Sequence, residues 1–423
     1  MNFIHFSTND IGGAGNAAYT LHKNLNDLGH QSVLFVSKKN TKDITVAQVS
    51  NFFFLYLLKF LYKVIKYLNV FKKNYYFYDN GLTTIISLYK IKQLLKFKPD
   101  FIFIHSISNF ISLKLIYKVQ KYFNVPVFWF VMDMAPFTGG CHFSWGCGNY
   151  LISCKKCPAI NLFFLKNLAE KNLKLKSIYL KKMRINIIST SKFLMKQSIH
   201  SKLFSNLNNY YIPLGINENI FKPTVDKNYK RLTNNLKIDG KIILFSTSDI
   251  MEERKGFKYL LKSLIDIDLN NPISKNLTLL TFGFLNKKIE FNNIKHYHYP
   301  YTLNLDKRIE IYNLADFFIS TSIEDSGPTT IIEAMMCGVP VISFNTGNAV
   351  EYVINGFNGY KVRLKDSIDL RNKITKIFSL NSDQLLNLSK NARIFSVENL
   401  SQKKQIQLLE KIILNNNNND EKN

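Results

Sequence analysis

Short β-branched apolar runs alternate with longer stretches of helical periodicity along the first half of the chain. The apolar runs predict strands at Asn2–Ser7, Gln31–Ser37, Asp100–Ser106, Val125–Asp133 and Ile185–Thr190. Between the first two runs, Ala14–Leu28 has the periodicity of a helix, which Gly29 ends. Together they form a βαβ unit, and the unbroken apolar runs are typical of strands that are buried on both faces of a parallel sheet.

The same alternation begins again near Lys241. It predicts strands at Lys241–Ser246, Leu277–Gly283, Asp316–Ser320 and Val339–Phe344. It also predicts helices at Gly256–Asp268, Asn304–Leu314 and Thr329–Cys337. This second series indicates a second α/β domain.

The segment Ile212–Gly240 separates the two series and is rich in prolines, glycines and asparagines, so we interpret it as an interdomain linker. The prediction is an α/β protein with two doubly wound, Rossmann-like domains that face each other across a cleft. The first domain would cover residues 1–212 and the second residues 213–399. The polar tail 415–423 is of low complexity and is predicted to be disordered.

The composition describes a globular and strongly basic protein. Of 423 residues, 46% are hydrophobic and 20% are charged, which excludes wholesale disorder. Lys and Arg number 56 against 30 Asp and Glu, which leaves a net charge of +26. Such a surplus predicts attraction to nucleic acid, an anionic membrane or phosphorylated ligands, unless it reflects compositional drift in a chain rich in Lys, Asn, Ile and Phe.

The start of the chain, MNFIHFSTNDIGG, lacks the basic region and the cleavage site of a secretory signal. No stretch reaches the ~18 uncharged apolar residues that a membrane span needs. We therefore expect a cytoplasmic location, in which cysteines stay reduced.

Glycines cluster where the first predicted strand turns into the first helix, at Gly12, Gly13 and Gly15. Glycines there let a phosphate or a sugar approach the backbone, and the N–H groups of a helix start favour an anion. The alternatives are a tight turn and a nicotinamide dinucleotide site. A dinucleotide site usually has an acidic residue at the end of the second strand, where this chain has Lys38 and Lys39, so it is disfavoured.

Two carboxylates lie eight positions apart, Asp325 in the loop after a predicted strand and Glu333 on the first turns of the next helix. Backbone N–H groups of Thr329 and Thr330 would point from the helix start toward an anion. One carboxylate would bind sugar hydroxyls and the other a ribose diol, with a diphosphate at the helix start. From spacing alone, the alternative is that Asp325 caps the helix and Glu333 is solvated.

The segment around these carboxylates resembles the signature of the retaining family 4 glycosyltransferases, which have the GT-B fold. The matching residues are Asp325-x7-Glu333-Ala-Met, Cys337-Gly-Val-Pro-Val-Ile and Thr346-Gly-Asn-Ala-Val-Glu351. Three further regions resemble parts of the family. The family's glycine loop and the end of its first helix resemble Gly12–Ala14 and Leu28–His30. Its domain crossover resembles Ile188–Lys192, Ile212–Ile216 and Phe221–Pro223, and its basic donor-phosphate loop resembles Arg254–Phe257. The resemblance covers nearly the whole chain.

The resemblance implies that a nucleotide-diphosphate sugar binds in the second domain. Glu333 takes the place of the glutamate that binds the ribose, and Asp325 that of a glutamate beside the donor sugar. Lys255 and Arg254 resemble the cations that neutralise the leaving diphosphate. The implied enzyme transfers a sugar, with retention of configuration, to a glycan or polyprenyl-linked acceptor in surface-polysaccharide synthesis, without a cofactor for catalysis. The final helix, 400–414, would pack back across the cleft.

For the acceptor side, the resemblance points to the first domain. Gly13 and Gly15 would let the donor and the acceptor approach its rim. Family members often have a histidine before the aspartate that follows the fourth strand, whereas this chain has Met132 before Asp133. His105, at the end of the preceding strand, is a substitute polar group for the cleft, and the alternative is a capping or surface histidine.

The predicted first domain contains a cysteine-rich loop at residues 138–158, with Cys141, Cys147, Cys154 and Cys157. Its closing Cys-x2-Cys pair suits a tetrahedral structural zinc. The loop also resembles one in a subgroup of family 4 enzymes of surface-polysaccharide synthesis. Two disulfides or buried reduced thiols are the alternatives, and the expected cytoplasmic location disfavours disulfides.

The segment Phe52–Lys73 is dominated by aliphatic and aromatic residues, and Lys59, Lys63 and Lys66 share one helical face. One interpretation is a helix that lies on an anionic membrane surface, which would make the protein a peripheral membrane protein. The alternative is an amphipathic helix that is buried against the first domain.

Other functions fit the same sequence. The fold also serves nucleotide-sugar epimerases, which need no acceptor. A non-catalytic partner subunit is an alternative, because two positions depart from the family pattern: Met132, and the region about five residues before Lys255, where many members have an arginine and this chain has Asp249 and Ile250. A nucleic-acid-binding protein is disfavoured, since the positive charge is dispersed and no RNA-binding signature occurs.

Overall fold

A computed structural model describes residues 1–49, 67–77, 86–224, 226 and 240–420. The chain divides into two compact units, Met1–Ile212 and Pro213–Asn423, which we call unit 1 and unit 2. Each unit is built on a parallel sheet with helices between the strands. The predicted α/β class with two doubly wound, Rossmann-like sheets is confirmed.

The sheet of unit 1 has the strand order β3-β2-β1-β4-β5-β6-β7, and every pair in it is parallel. Its strands are β1 (Asn2–Asn9), β2 (Gln31–Lys38), β3 (Val46–Gln48), β4 (Phe101–Ile104), β5 (Val127–Val131), β6 (Ile185–Ser189) and β7 (Asn208–Tyr211). The order reverses between β1 and β4. In open α/β sheets, ligands bind at the carboxyl ends of the strands on either side of such a reversal.

The α-helices in the described part of unit 1 are α1 (Gly13–Asp27), α2 (Leu88–Leu94), α3 (Leu113–Phe123), α4 (Leu168–Leu180) and α5 (Lys192–His200). Local sequence determines several of their ends. Ser112 caps α3 by accepting from the N–H of Leu115, and Asn124 ends the helix in the left-handed conformation, with φ of 55°. Both residue types are favoured at these positions, so the boundaries of α3 follow from elementary capping chemistry.

The sheet of unit 2 has the strand order β10-β9-β8-β11-β12-β13, again parallel throughout. Its strands are β8 (Lys241–Asp249), β9 (Leu277–Phe284), β10 (Lys295–Pro300), β11 (Phe317–Ser320), β12 (Val341–Phe344) and β13 (Gly359–Val362). The order reverses between β8 and β11. The segments that follow these two strands therefore meet at the place where α/β sheets bind ligands.

Among the residues of unit 2 that the structure describes, the α-helices are α6 (Phe257–Asn270), α7 (Leu305–Leu314), α8 (Thr329–Met336), α9 (Ala349–Tyr352), α10 (Ser367–Phe378), α11 (Ser382–Leu400) and α12 (Gln402–Asp420). The sequence analysis ends the last helix at residue 414 and predicts a disordered tail from 415. The structure instead continues the helix to Asp420. Once a helix is nucleated, adding one asparagine costs only about 0.7 kcal/mol relative to alanine.

Apolar strands form the centre of unit 1. Every residue of β4 and β5 is buried, as the continuous apolar sequence predicts for inner parallel strands. Trp129 of β5 is 1% exposed and packs edge-on against Phe204.

Two expectations about membranes have different outcomes. The predicted helix Phe52–Lys73 lies largely outside the described residues, and a short 3₁₀ turn, Lys73–Tyr75, begins at its last residue. Within the described parts of the chain, no helix combines the length and the apolar character that a membrane crossing demands.

Candidate functional site

The segments that follow β8 and β11 are joined by backbone contacts. The N–H of Ile323 donates to the carbonyl oxygen of Arg254 at 2.8 Å. The hydroxyl of Thr321 donates to the carbonyl oxygen of Lys255 at 3.0 Å. Gly256 has a φ of 66°, and a Cβ there would overlap the Thr321 carbonyl oxygen. Only glycine allows this approach, which holds the two basic residues against the loop after β11.

Asp325 is where the two predicted cations meet. Arg254 donates from Nη1 to Asp325 Oδ2 at 2.8 Å, and Lys255 donates from Nζ to the same oxygen at 2.7 Å. The other carboxylate oxygen accepts from the N–H groups of Ser326 at 2.9 Å and Gly327 at 3.3 Å. The structure therefore brings Arg254, Lys255 and Asp325 together, and both oxygens of Asp325 have partners.

The opposite charges of this cluster favour the ionised forms of their neighbours. Burial alone would raise the pKa of the Asp325 carboxyl, but Lys255 and Arg254 hold it well below its ordinary value. Burial lowers the pKa of Lys255, and the adjacent Asp325 carboxylate opposes that shift. Arg254 also donates from Nε to Glu252 at 2.9 Å. These ion pairs thus hold Arg254 and Lys255 in place before any ligand binds.

Helix α8 begins at Thr329, directly after this cluster, and the loop before it is fixed. Asn348 donates from Nδ2 to the Pro328 carbonyl oxygen at 3.1 Å, and Gly347, with φ of 56°, packs against the backbone of the loop. Thr329 and Thr330 are partly exposed. A helix start presents N–H groups and the positive end of the helix dipole, so an anion at this position is favoured.

Glu333 lies on α8 and is only 4% exposed. Its Oε1 accepts from Arg308 Nη2 at 2.5 Å, and its Oε2 accepts from the hydroxyl of Tyr312 at 2.7 Å. Burial and the nearby Glu333 raise the pKa of Tyr312. An ionised carboxylate has about four lone-pair sites, so Glu333 retains acceptor capacity beyond these two bonds.

The sequence analysis missed Arg308 and Tyr312. They lie four positions apart on α7, in the helix that precedes β11. A signal was available, because α8 is otherwise strongly apolar and a carboxylate buried in such a helix requires a hydrogen-bonding or cationic partner. Helix α7, which precedes β11, is the element in which such a partner for Glu333 could have been sought.

The two glycines predicted to admit a ligand differ from each other. Helix α1 begins at Gly13, after Gly12 with φ of 83°. A Cβ at Gly13 would meet nothing within 4 Å, whereas a Cβ at Gly15 would lie 2.8 Å from the carbonyl oxygen of Asn9. Gly15 is therefore needed for α1 to pack on the end of β1, and Gly13 is the position with room for a ligand.

The structure places His105 in the core of unit 1, which differs both from the expectation of a polar group in the cleft and from the alternative of a capping or surface histidine. It is 4% exposed, its Nε2 lies 3.0 Å from Nδ1 of His5, and its ring stacks on Phe130. Burial lowers the pKa of His105 to about 3. A residue that ends an apolar strand continues the buried face of the sheet, which is why the position is internal. This placement does not favour the predicted catalytic role.

Asp133 follows β5 and is partly buried. Its Oδ1 accepts from the N–H of Ala135 at 2.7 Å, and its Oδ2 lies 3.5 Å from Nδ1 of His142. The histidine that the sequence lacks before Asp133 is thus supplied from the cysteine-rich loop. The structure brings Asp133 and His142 together and leaves His105 in the sheet.

All four loop cysteines are free thiols, and they surround one small cavity beside Tyr150. Burial raises the pKa of Cys141 to about 12 and that of Cys157 to about 11. Among the described residues, no group of three or more His, Cys, Asp or Glu side chains is arranged to hold a metal ion as it stands. The alternative of two disulfides is not seen in this loop.

Comparison with known proteins finds a family match in the second unit. Residues 228–412 match the family model described as "Glycosyl transferases group 1". N,N'-diacetylbacillosaminyl-diphospho-undecaprenol alpha-1,3-N-acetylgalactosaminyltransferase of Campylobacter jejuni is 27% identical over 217 residues, which are 48% of this chain and 54% of that protein. The chain matches between 40% and 54% of the length of its curated relatives.

Two solved structures resemble the chain over almost its full length. Sucrose-phosphate synthase from Thermosynechococcus elongatus has a TM-score of 0.68 at 16% identity and covers 98% of each chain. Anabaena Alr3699/HepE, in complex with UDP-glucose, has a TM-score of 0.64 at 15% identity, with coverage of 97% of this chain and 99% of that one. At these identities the likeness concerns the fold. Residues 228–412 therefore match the model of a glycosyl transferases group 1 domain, and the chain as a whole has the GT-B fold.

Proposed function

We propose that the protein is a retaining glycosyltransferase that moves a sugar from a nucleotide-diphosphate sugar to a hydroxyl of a glycan or lipid-linked glycan. The observation that carries this proposal is the cluster in which Arg254 and Lys255 meet Asp325 next to the start of α8. Support also comes from the names of two similar proteins, one a transferase for a diphospho-undecaprenol-linked sugar and the other crystallised with UDP-glucose.

The donor diphosphate binds Arg254, Lys255 and the N–H groups at the start of α8. Both cations are already held by ion pairs, so little reorganisation is needed when the anion enters, and such preorganised charges stabilise a transition state most effectively. Because both oxygens of Asp325 are engaged, its part is to position the cations. Its carboxylate is one methylene shorter than the glutamate that the family resemblance places beside the donor sugar.

Glu333 receives the ribose diol. Arg308 and Tyr312 orient its two oxygens from one side, and the remaining lone pairs accept from the two ribose hydroxyls. A buried carboxylate with this much acceptor capacity favours binding of a ligand that has two adjacent hydroxyls. A ribose provides these hydroxyls and a bare phosphate does not, so Glu333 favours a nucleotide as the leaving group.

The chemical step breaks the bond between the anomeric carbon and the diphosphate oxygen, and the electron pair leaves with the diphosphate. The acceptor hydroxyl attacks the same face of the sugar, and its proton passes to a leaving diphosphate oxygen. The developing negative charge lies on the oxygens that Lys255 and Arg254 contact, so these residues lower the barrier by electrostatic stabilisation. Asp133, next to His142, is proposed to contact the acceptor.

A lipid-linked acceptor would bring the protein to a membrane, and unit 1 carries a surface suited to it. Phe163 and Phe164 are 84% and 78% exposed on a short 3₁₀ turn. Asn161, just before them, bonds the backbone of Asn69 and Val70, which places the turn beside the segment that holds exposed Tyr67. Exposed lysines close in sequence are Lys72, Lys73, Lys155 and Lys156. Aromatic side chains bordered by lysines fit the surface of an anionic bilayer.

The test of the function is a transfer assay with labelled UDP-, GDP- and dTDP-sugars and a lipid-linked saccharide extract, followed by NMR assignment of the new anomeric centre. We expect a product whose anomeric configuration matches that of the donor. Inverted product would contradict retention. A rearranged or hydrolysed donor without any acceptor product would favour the epimerase alternative, and no reaction with any donor would favour a non-catalytic partner.

The membrane contact is tested by flotation with vesicles. We expect the protein to float with vesicles rich in anionic lipid, and a Phe163→Ser/Phe164→Ser variant to remain mostly unbound. Ile368→Ser is the matched control, because Ile368 is also exposed but lies in unit 2. Equal flotation of all three proteins would contradict the contact.

A further inference from the structure

The cysteine-rich loop holds a cluster that the proposed transfer does not use. The side chains of Cys141, Cys147, Cys154 and Cys157 line a single cavity of about 20 Å³ in unit 1. A cavity of roughly 10–15 Å³ already admits one water-sized particle. Four thiols around a space of this size match the ligand number of a structural zinc ion.

Backbone N–H groups point at two of these sulfurs. Gly139 donates to Sγ of Cys154 at 3.3 Å, and Cys157 accepts from the N–H groups of Ala159 and Ile160. Hydrogen bonds of this kind stabilise the thiolate form, and metal-bound thiolates are oriented by such outer contacts. The loop backbone thus provides the environment of metal-bound sulfur, which a packed neutral thiol does not need.

A buried cation lies next to the cluster. Lys176 of α4 is 1% exposed, and its Nζ donates to the carbonyl oxygens of Ala135 at 2.6 Å and Thr138 at 2.8 Å. Its charge also acts electrostatically on Cys154. Zinc with four thiolates carries a net charge of −2, so a buried ammonium group beside it offsets part of the cost of burying that charge.

We propose that Cys141, Cys147, Cys154 and Cys157 bind one zinc ion in a closed, structural site. Binding converts Zn²⁺ and four thiols into a tetrathiolate complex and releases four protons to solvent. Since no group of described side chains has metal-binding geometry as it stands, the sulfurs move inward around the ion. Metal sites commonly form together with the local structure that surrounds them.

The site would act as a clip at the carboxyl end of β5. The loop that it closes contains His142, which contacts Asp133 and whose carbonyl oxygen accepts from the N–H of Met134 at 3.0 Å. Zinc therefore holds the segment that follows β5 in position. Four protein ligands leave no open coordination position, so the ion itself takes no part in transfer.

The test measures zinc in the full-length protein, purified under reducing conditions without a chelator and then incubated with zinc and desalted. We expect about one zinc per chain by elemental analysis, and the absorption of a tetrahedral cobalt thiolate after exchange with Co²⁺. Cys147→Ser should lose most of the metal, because it removes one ligand at a partly exposed position. Cys337→Ala, which removes the cysteine of unit 2, should retain it.

Folding is monitored in parallel by circular dichroism, so that loss of metal can be separated from loss of structure. A chelator should lower the melting temperature of the wild-type protein and of Cys337→Ala, and should leave that of a folded Cys147→Ser unchanged. Wild-type protein that stays free of zinc with five reactive thiols would overturn the proposal. A mass lower by four hydrogens, which would indicate two disulfides, would also overturn it.

Discussion

The two units bury polar side chains in different protonation states. In unit 2, Asp325 and Glu333 are buried next to cations, with Lys255 on the first and Arg308 on the second. The paired cations hold both carboxylates in place, and Lys255 and Arg254 lower the pKa of Asp325 and keep it ionised.

Unit 1 instead buries three histidines. His5 and His105 are within hydrogen-bonding distance of each other at 3.0 Å, and His22 bonds the hydroxyls of Ser32 at 2.7 Å and Thr45 at 2.8 Å. Burial lowers the pKa of His22 to about 4 and that of His5 well below its ordinary value. These groups are neutral at pH 7, and they contribute to the core.

The contrast shows that a buried titratable residue is not by itself a sign of a site. The two groups of residues differ in their charged partners. Unit 2 brings cations to its buried carboxylates, whereas the buried histidines of unit 1 contact one another or nearby hydroxyls, and Nε2 of His5 has no hydrogen-bond partner among the described residues. The following predictions test that contrast, in order of decreasing effect.

The largest effect is expected from Lys255→Ala. Removing one preorganised charge from a developing anion lowers kcat by about 10²–10³-fold in comparable cases, and we expect a loss of that size in sugar transfer. Lys258→Ala is the control, because Lys258 is another lysine close by, at the start of α6. Its side chain is 61% exposed and pairs with Glu253. Steady-state kinetics measure both. A similar loss in the two variants would argue against the assigned role.

Glu333→Ala should destabilise unit 2. It leaves Arg308 without its carboxylate, and breaking a buried pair in this way costs about 3 kcal/mol or more. The double change Arg308→Met/Glu333→Leu should recover over half of the loss, because it removes both charges. Urea unfolding gives the free energies. If the double variant is as unstable as Glu333→Ala, the ion pair is not the source of the effect.

Acid should destabilise unit 1. A histidine whose folded pKa is lowered binds protons more readily in the unfolded chain, so stability falls as the pH drops below about 6.5 and continues to fall toward the folded pKa values of about 4 for His22 and about 3 for His105. At pH 5 each histidine would cost about 2 kcal/mol. His22→Gln should flatten the dependence of the unfolding free energy on pH between 7 and 5, whereas His200→Gln, at an exposed helix end, should not.

The smallest effects separate the two glycines of α1. Gly13→Ala should leave stability unchanged or raise it by up to about 1 kcal/mol, and lower activity if a ligand approaches there. Gly15→Ala should lower stability by about 1–3 kcal/mol, because its Cβ would press on the backbone of Asn9. Thermal unfolding and transfer activity of both variants check this. Equal stability would contradict the assigned packing role.

Much of the fold could be predicted because it depends on local patterns. The predicted strands at Gln31–Ser37, Leu277–Gly283 and Asp316–Ser320 lie within two residues of β2, β9 and β11, since continuous apolar runs have few alternatives inside a parallel sheet. The edge strand β10 was missed. Its sequence, Lys295–Pro300, has no apolar run, and it forms because β9 offers a free edge.

The site was predictable where its residues follow strands that lie side by side in the sheet. Arg254, Lys255 and Asp325 follow adjacent strands, so they meet at the same edge of the sheet. Arg308 was not predicted, because its pairing with Glu333 joins two helices whose rotation the sequence leaves open. His105 was misplaced for a related reason, since only the packed sheet shows that the end of β4 is covered. The facing of the two domains across a cleft and the packing of the last helix across it stay predictions.

The most direct test of the donor site is a thermal-shift panel of nucleotide-diphosphate sugars against wild-type protein, Glu333→Gln and the control Lys258→Ala. A donor at 100 times its dissociation constant should stabilise the native state by about 2.7 kcal/mol. We predict a shift with one nucleotide class, kept in Lys258→Ala and lost in Glu333→Gln. Folded wild-type protein that shows no shift with any donor, or an equal shift in all three proteins, would contradict the account.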